Sequence, residues 1–252
     1  MNAPHPDWIV PDWPAPATVR ALITTRAGGL SIGPYASFNL GLRAGDEPGA
    51  VAANRARLRE SLPQEPVWLR QVHGSQVIDA DGPTLEPEAD AAVARRPGTV
   101  CAVLVADCVP VFITDRAGTA VAVAHAGWRG LAGGVLENTV SAMRCGPDKL
   151  LAFLGPGIGP RAFEVGADVR EAFLRTAPEA QHAFVPHAPG KWLADLFTLA
   201  RQHLARAGVT RVFGGSLCTH SDPARFFSYR RDRATGRMAA LIWRTGLQRR
   251  ES

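Results

Sequence analysis

The side chains best equipped for chemistry stand in three short segments: Gln71-Val72-His73-Gly74, Ala106-Asp107-Cys108-Val109-Pro110 and His125-Ala126-Gly127-Trp128-Arg129-Gly130. Each places one histidine or cysteine where an apolar run ends. Two imidazoles and one thiolate are donors that zinc accepts, and three protein ligands leave a fourth tetrahedral position for water or substrate. Separations of 35 and 17 residues between His73, Cys108 and His125 exclude a compact zinc finger, whose ligands come in close pairs. Such a site has to be assembled by the fold. Taken one at a time, the residues have plainer readings: a histidine after a strand is commonly a hydrogen-bonded structural residue, and a buried cysteine commonly only packs. The same atoms also suit a metal-free amide hydrolase, with Cys108 as nucleophile activated by His125 or His73.

Further candidates surround this set. Gly127 and Gly130 permit a sharp turn, and a helix starting there would present free N–H groups to an anion beside Arg129; a plain turn with a solvated arginine fits equally. The glycine-rich stretch 25–33 matches neither a P-loop nor a dinucleotide fingerprint. With Arg26 and Asn39 it reads as a source of substrate contacts or as a simple turn. Asp107 is an acid–base candidate, although neighbours on an extended strand point to opposite faces. Tyr229 and Arg230, in Phe226-Phe227-Ser228-Tyr229-Arg230-Arg231-Asp232, are site candidates that an alternating strand would explain too. Cys101 and Cys145 are assigned to packing; Cys218 could sit beside a metal but reads better as a core thiol.

The elements that would position these residues alternate between helix and strand. Leu193, Leu196, Phe197, Ala200 and Leu204 recur at helical spacing and are followed by Gly208 as a C-cap. Further helices are expected over 51–62, 131–143 and 167–176, and strands over 67–72, 100–105, 109–114, 119–124, 150–154, 209–213 and 238–243. Several of these strands are apolar without alternation, which predicts burial on both faces. Asp115-Arg116-Ala117-Gly118 is a turn signal that joins two of them as a hairpin. The expected class is α/β: helices layered on a mixed sheet.

With 252 residues, 46% hydrophobic and 20% charged, the chain can bury about three-quarters of its unfolded surface, so it needs no metal merely to fold. A metal site here would therefore serve function. The longest apolar run, 100–106, falls far short of the ~20 residues of a membrane span. Residues 1–17 read as an irregular arm without the features of a secretory signal, and four scattered cysteines suit a reducing compartment, so a cytoplasmic protein is expected. The net charge of +5 is local: residues 225–250 hold eight arginines against Asp232, while the rest carries 20 basic and 22 acidic groups. That distribution does not predict nucleic-acid binding. No repeat or linker divides the chain, which favours one domain over 1–252.

Taken together, TTRAGGLSIGPYASFNLGL (24–42), NRARL (54–58), QVHG (71–74), ADCVP (106–110), HAGWRGLAGG (125–134), LGPGIGPRAFEVG (154–166) and CTHSDPARFFSYRRDRATGR (218–237) resemble the YfiH/laccase-domain family of purine nucleoside phosphorylases, also called polyphenol or multicopper oxidases. The segments follow in family order and span almost the whole chain. The resemblance implies a compact α/β domain with a mononuclear zinc site at His73, Cys108 and His125. It further implies phosphorolysis of adenosine, inosine and S-methyl-5′-thioadenosine, together with deamination of adenosine. Purine nucleosides and phosphate are then the expected partners of a monomer. Arg129 would orient phosphate, Asp107 would move protons, and Arg26, Asn39, Tyr229 and Arg230 would contact substrate. Copper can also occupy a cysteine-containing site, but a multicopper centre needs more histidine ligands than the seven present. The H-x-E and P-C-x-x-C signatures of cytidine-type deaminases are absent, so deamination would use a different scaffold.

Overall fold

The computed structural model describes residues 2–82 and 85–246. Among them the elements follow in the order β1 (Val19–Ile23), α1 (Pro48–Arg59), β2 (Val77–Asp79), β3 (Ala91–Ala94), β4 (Cys101–Val105), β5 (Val109–Asp115), β6 (Val121–Ala126), α2 (Trp128–Ala132), α3 (Val135–Ala142), β7 (Leu150–Leu154), β8 (Glu164–Gly166), α4 (Ala167–Leu174), β9 (Phe184–Ala188), β10 (Lys191–Ala194), α5 (Leu196–Arg206), β11 (Val212–Gly214), α6 (Tyr229–Asp232) and β12 (Met238–Arg244). A six-stranded mixed sheet has the order β11-β7-β5-β6-β3-β2, and a three-stranded antiparallel sheet the order β1-β12-β4. A small third sheet, β8-β10-β9, is also antiparallel.

Side-chain alternation divides the strands between layers. Val109, Val111 and Ile113 of β5, with Ala122 and Ala124 of β6, face a core shared with Leu131, Leu136, Phe173, Leu199 and Leu204 of the helices. Phe112 of β5 and Val121 and Val123 of β6 turn the other way, onto Val103, Val105, Met238 and Ile242 of the three-stranded sheet. That sheet's outer face, Ala102, Ala239 and Leu241, packs on Leu58 of α1 and on Trp8, Phe38 and Leu40. The architecture is thus helices, sheet, sheet, helix, an α/β arrangement in which the central strands meet no water. Their unbroken apolar runs follow from this. The N-terminal arm is tied down by an antiparallel bridge from Ile9 to Ile23 and by Trp8 against Phe38, ring centroids 5.1 Å apart.

Several expected elements change. The helix expected over 131–143 is two, because Gly134 takes φ +86, a left-handed conformation that ends α2 and starts α3. Leu193 belongs to β10; the helix begins only after Asp195, whose carboxylate caps the N–H groups of Phe197 and Thr198 at 2.9 and 3.0 Å. Gly208, at φ +85, follows that helix as expected. Residues 67–72 are not a strand and form only isolated bridges at Val67 and Arg70. Here the Gln71 side chain occupies the Leu104 backbone, accepting from its N–H at 2.7 Å and donating to its carbonyl at 2.9 Å. The hairpin at Asp115–Gly118 is present, with Asp115 accepting from the Thr119 and Ala120 N–H groups. Among the described residues no helix is long and apolar enough to cross a membrane. Arg249 and Arg250, part of the basic segment, lie outside the described residues.

Candidate metal centre

Strands β5 and β6 carry two of the three donors. His125 lies on β6 directly opposite Pro110, so the hairpin register brings it beside Cys108 at the entrance of β5. His73 comes from the loop between α1 and β2 and holds φ +60, a conformation that a side chain other than glycine adopts only when its surroundings impose it. One donor atom from each of His73, Cys108 and His125 falls within a group whose members all lie within 4.8 Å of one another. The two imidazoles meet edge to face, centroids 4.9 Å apart. His125 is buried, Cys108 half-buried and His73 exposed, so the set runs from the protein interior to a cavity that all three line.

What imposes that arrangement is Asp90, a residue for which sequence reasoning found no role. Wholly buried just before β3, it accepts from His125 Nδ1 at 2.8 Å and from the N–H groups of Val72, His73 and Gly74 at 3.1, 3.0 and 2.7 Å. One carboxylate thus fixes both histidines: the ring of one and the backbone of the other. Its only sequence signal is the last acid of Glu86-Pro87-Glu88-Ala89-Asp90 before Ala-Ala-Val-Ala, which no spacing rule connects to the donors. Burial works against the Asp90 carboxylate, yet hydrogen bonds from His125 and the loop amides hold it below its usual range. Burial likewise disfavours the Cys108 thiolate, but His125 and then His73 outweigh it and bring the thiol down to about 6. Against its own burial, His125 is pushed up to about 9 by the Cys108 thiolate and Asp90.

The cavity has a volume of about 810 Å³ and is lined by six arginines, Arg43, Arg55, Arg129, Arg230, Arg233 and Arg237, against two carboxylates, Asp107 and Glu86. Several guanidinium groups lie on aromatic faces: Arg129 on Trp128 at 4.3 Å, Arg55 on Trp68 at 4.1 Å and Arg230 on Phe163 at 5.0 Å. Asp107 and Cys108 both line it, contrary to the opposite-face expectation, because Asp107 at φ +100 is not extended. The Asp107 carboxylate accepts from the Thr219 hydroxyl and the Arg230 N–H, both at 2.6 Å. Tyr229 and Arg230 line the cavity from the short helix α6 and not from a strand.

Two expected substrate contacts, Arg26 and Asn39, are placed away from the cavity. Arg26 is spent on the Ala36 and Pro223 carbonyls, at 2.8 and 2.9 Å, and lies on Phe227. Asn39 is fully buried, accepting from the N–H groups of Gly41 and Arg237 at 2.9 and 2.8 Å. Neither lines the cavity. Cys101 packs inside β4, where burial raises its thiol far above the ordinary value. Cys218 is not a core thiol; it is half-buried and accepts from the Gly159 N–H at 3.1 Å and the Ser221 hydroxyl at 3.3 Å.

The donor set itself fits zinc: two nitrogens, one sulfur already inclined to ionise, and a histidine oriented through its far nitrogen by a carboxylate. Residues 20–245 match the family model described as multi-copper polyphenol oxidoreductase laccase. The chain belongs to this family. Its relatives include the purine nucleoside phosphorylase of Pseudomonas aeruginosa, 55% identical over 96% of this chain and 99% of that protein. Purine nucleoside phosphorylase YfiH of Escherichia coli is 55% identical over 93% and 98%. The crystal structure of a Neisseria meningitidis protein superposes with TM-score 0.92 at 53% identity, covering 95% of this chain and 100% of that one. YlmD from Geobacillus stearothermophilus gives TM-score 0.85 at 35% identity, covering 91% and 93%. Among the described residues, which include all seven histidines, there is one three-donor group, which offers too few ligands for a multicopper centre.

Proposed function

We propose that the protein is a zinc-dependent purine nucleoside phosphorylase that cleaves adenosine, inosine and S-methyl-5′-thioadenosine and also deaminates adenosine, acting as a cytoplasmic monomer. The observation that carries this reading is a donor triad opening onto a cavity with six guanidinium groups and aromatic faces. An 810 Å³ space falls in the range of small-molecule sites, and its positive charge suits an anionic co-substrate. The curated names of the relatives point the same way.

In this reading His73, Cys108 and His125 hold the zinc, with Asp90 fixing the two histidines. When bound, zinc supplies Lewis-acidic charge to that end of the cavity. Arginines of the cavity bind phosphate and align one of its oxygens with the ribose anomeric carbon. The new C1′–O bond forms as C1′–N9 breaks; the electron pair goes to the purine, which takes a proton, and the sugar 1-phosphate remains: ribose 1-phosphate, or its 5-methylthio analogue from S-methyl-5′-thioadenosine. In deamination water replaces the 6-amino group and ammonia leaves. Glu86 is paired with Arg43 at 3.1 Å, which leaves Asp107 as the carboxylate lining the cavity that can move a proton. Tyr229 and Arg230, held over Asp107, contact the nucleoside.

The test is incubation of the zinc-supplemented protein with adenosine, with and without phosphate, followed by separation of adenine, inosine and hypoxanthine. Phosphate-dependent adenine and phosphate-independent inosine are expected; the absence of both overturns the reading. One arrangement favours a second reading, an amide hydrolase: a His125 donor atom lies within 4.8 Å of Cys108 Sγ, and His125 Nδ1 is held by Asp90 as in a nucleophile–base–carboxylate relay. Activity that survives a chelator but not a thiol reagent would select it.

A further inference from the structure

The six guanidinium groups of the cavity are not equivalent. Arg43 is paired with Glu86 at 3.1 Å. Arg230 donates from Nη1 to the Glu164 carbonyl at 2.8 Å, while Arg129 and Arg233 are exposed to solvent. Arg55 and Arg237, half-buried as Arg230 is, are held by one turn, and among the described residues neither forms an ion pair with a carboxylate. Arg55 lies over Trp68, its Cζ 4.1 Å from the ring centroid, and gives only Nε to protein, donating to the Leu40 carbonyl at 3.0 Å. Arg237 gives Nη1 to the carbonyls of Thr235 and Gly236 at 2.8 and 3.0 Å, and its stem lies on Gly41. Two Nη groups of Arg55, and the Nε and Nη2 of Arg237, are left without a protein acceptor among the described residues.

The two arginines hang from one turn. Leu40 accepts from Arg55 and its own N–H donates to the Arg237 carbonyl at 3.0 Å, while Asn39 accepts from the Arg237 N–H at 2.8 Å. Asn54, wholly buried one residue before Arg55, donates to the Asn39 carbonyl at 2.9 Å and to the Ser31 hydroxyl at 3.0 Å. The network keeps both guanidinium groups in place without lending either a negative charge. A guanidinium cannot shed its proton to relieve desolvation, so a partly buried pair of them with free N–H groups selects an anion. Burial lowers both pKa values from the ordinary one, the sign of incomplete compensation. An anion that can use several planar donors at once is a tetrahedral oxyanion.

We propose that Arg55 and Arg237, seated on the Asn39–Gly41 turn, form the subsite that binds the phosphate oxygens. The assignment rests on the phosphorolytic reading for its biological ligand, but phosphate binding can be measured without turnover. Inorganic phosphate titrated calorimetrically into the zinc-loaded protein should give one binding event. Arg55→Gln and Arg237→Gln should each weaken it by about tenfold or more, the cost of a lost charged hydrogen bond, with sulfate competing. Gly41→Ala supplies a second approach that keeps both charges: a Cβ there would come 2.7 Å from Arg237 Cγ, so phosphate affinity should also fall. In steady state the KM for phosphate should rise in all three variants far more than the KM for nucleoside. Phosphate binding by wild type without any nucleoside cleavage would keep the subsite and remove the phosphorolytic reading. Phosphate affinity and phosphate KM equal to wild type in both arginine variants, in folded protein of unchanged metal content, would overturn the subsite.

Discussion

Gly127 takes φ −77, a conformation open to any residue, so a side chain there meets only a steric objection. A Cβ would come 2.7 Å from Cys108 Sγ and 3.3 Å from His73 Cδ2. Gly127→Ala should therefore push two donors apart while deleting none, and weaken zinc by about tenfold in chelator competition. Asp90→Asn should cost about 10- to 100-fold, because an amide has one acceptor oxygen for four donors and can present the wrong group to His125 Nδ1. Affinities equal to wild type in both variants would remove the triad as the metal site. The donors themselves were legible because their chemistry resides in residue type. Asp90 was not, since its importance lies in four hydrogen bonds made across 16 to 35 residues of sequence. Arg26 and Asn39 drew notice beside a glycine-rich loop, and the backbone of that region is what consumes them.

Helix α3 docks on α5 partly through Glu137, whose Oε1 lies 2.7 Å from Nδ1 of buried His203. Burial raises the Glu137 carboxyl, but the His203 hydrogen bond outweighs this and the net shift is downward. A carboxyl depressed in the folded state adds stability above its unfolded pKa of about 4.3, and that increment is lost as pH falls through the folded value. Glu137→Gln should therefore lower stability by about 1–2 kcal/mol at pH 7 and flatten the acid side of a plot of Tm against pH. An unchanged acid limb would show that the pair contributes nothing. The α3 helix was visible in the sequence only as part of a longer run, because helical periodicity persists through Gly133-Gly134 while the backbone does not. The expected strand at 67–72 failed for a related reason. Its Trp68 and Leu69 do pack, but Gln71 supplies by side chain the hydrogen bonds that a ladder would have made.

At the scale of the molecule, the layers were readable from apolar runs that lacked alternation, which marked strands covered on both faces. Which sheet each strand joins was not readable, because β4 and β5 are adjacent in sequence yet lie in different sheets, separated by the turn at Asp107. Cys108 and His125 reach each other across one hairpin, a closure over 17 residues, whereas His73 reaches them over 35 and 52 residues, once β3, which follows Asp90, has paired with β6. Longer closures and non-local pairings form later in folding. The triad is therefore a clock for the end of folding: two donors meet early, and the third arrives with final docking. Refolded with cobalt in place of zinc, the protein should develop thiolate-to-metal absorbance in its slowest phase, after burial of the tryptophans, and Asp90→Asn should delay it further. Full absorbance at first collapse would show instead that the metal gathers its ligands and guides the chain.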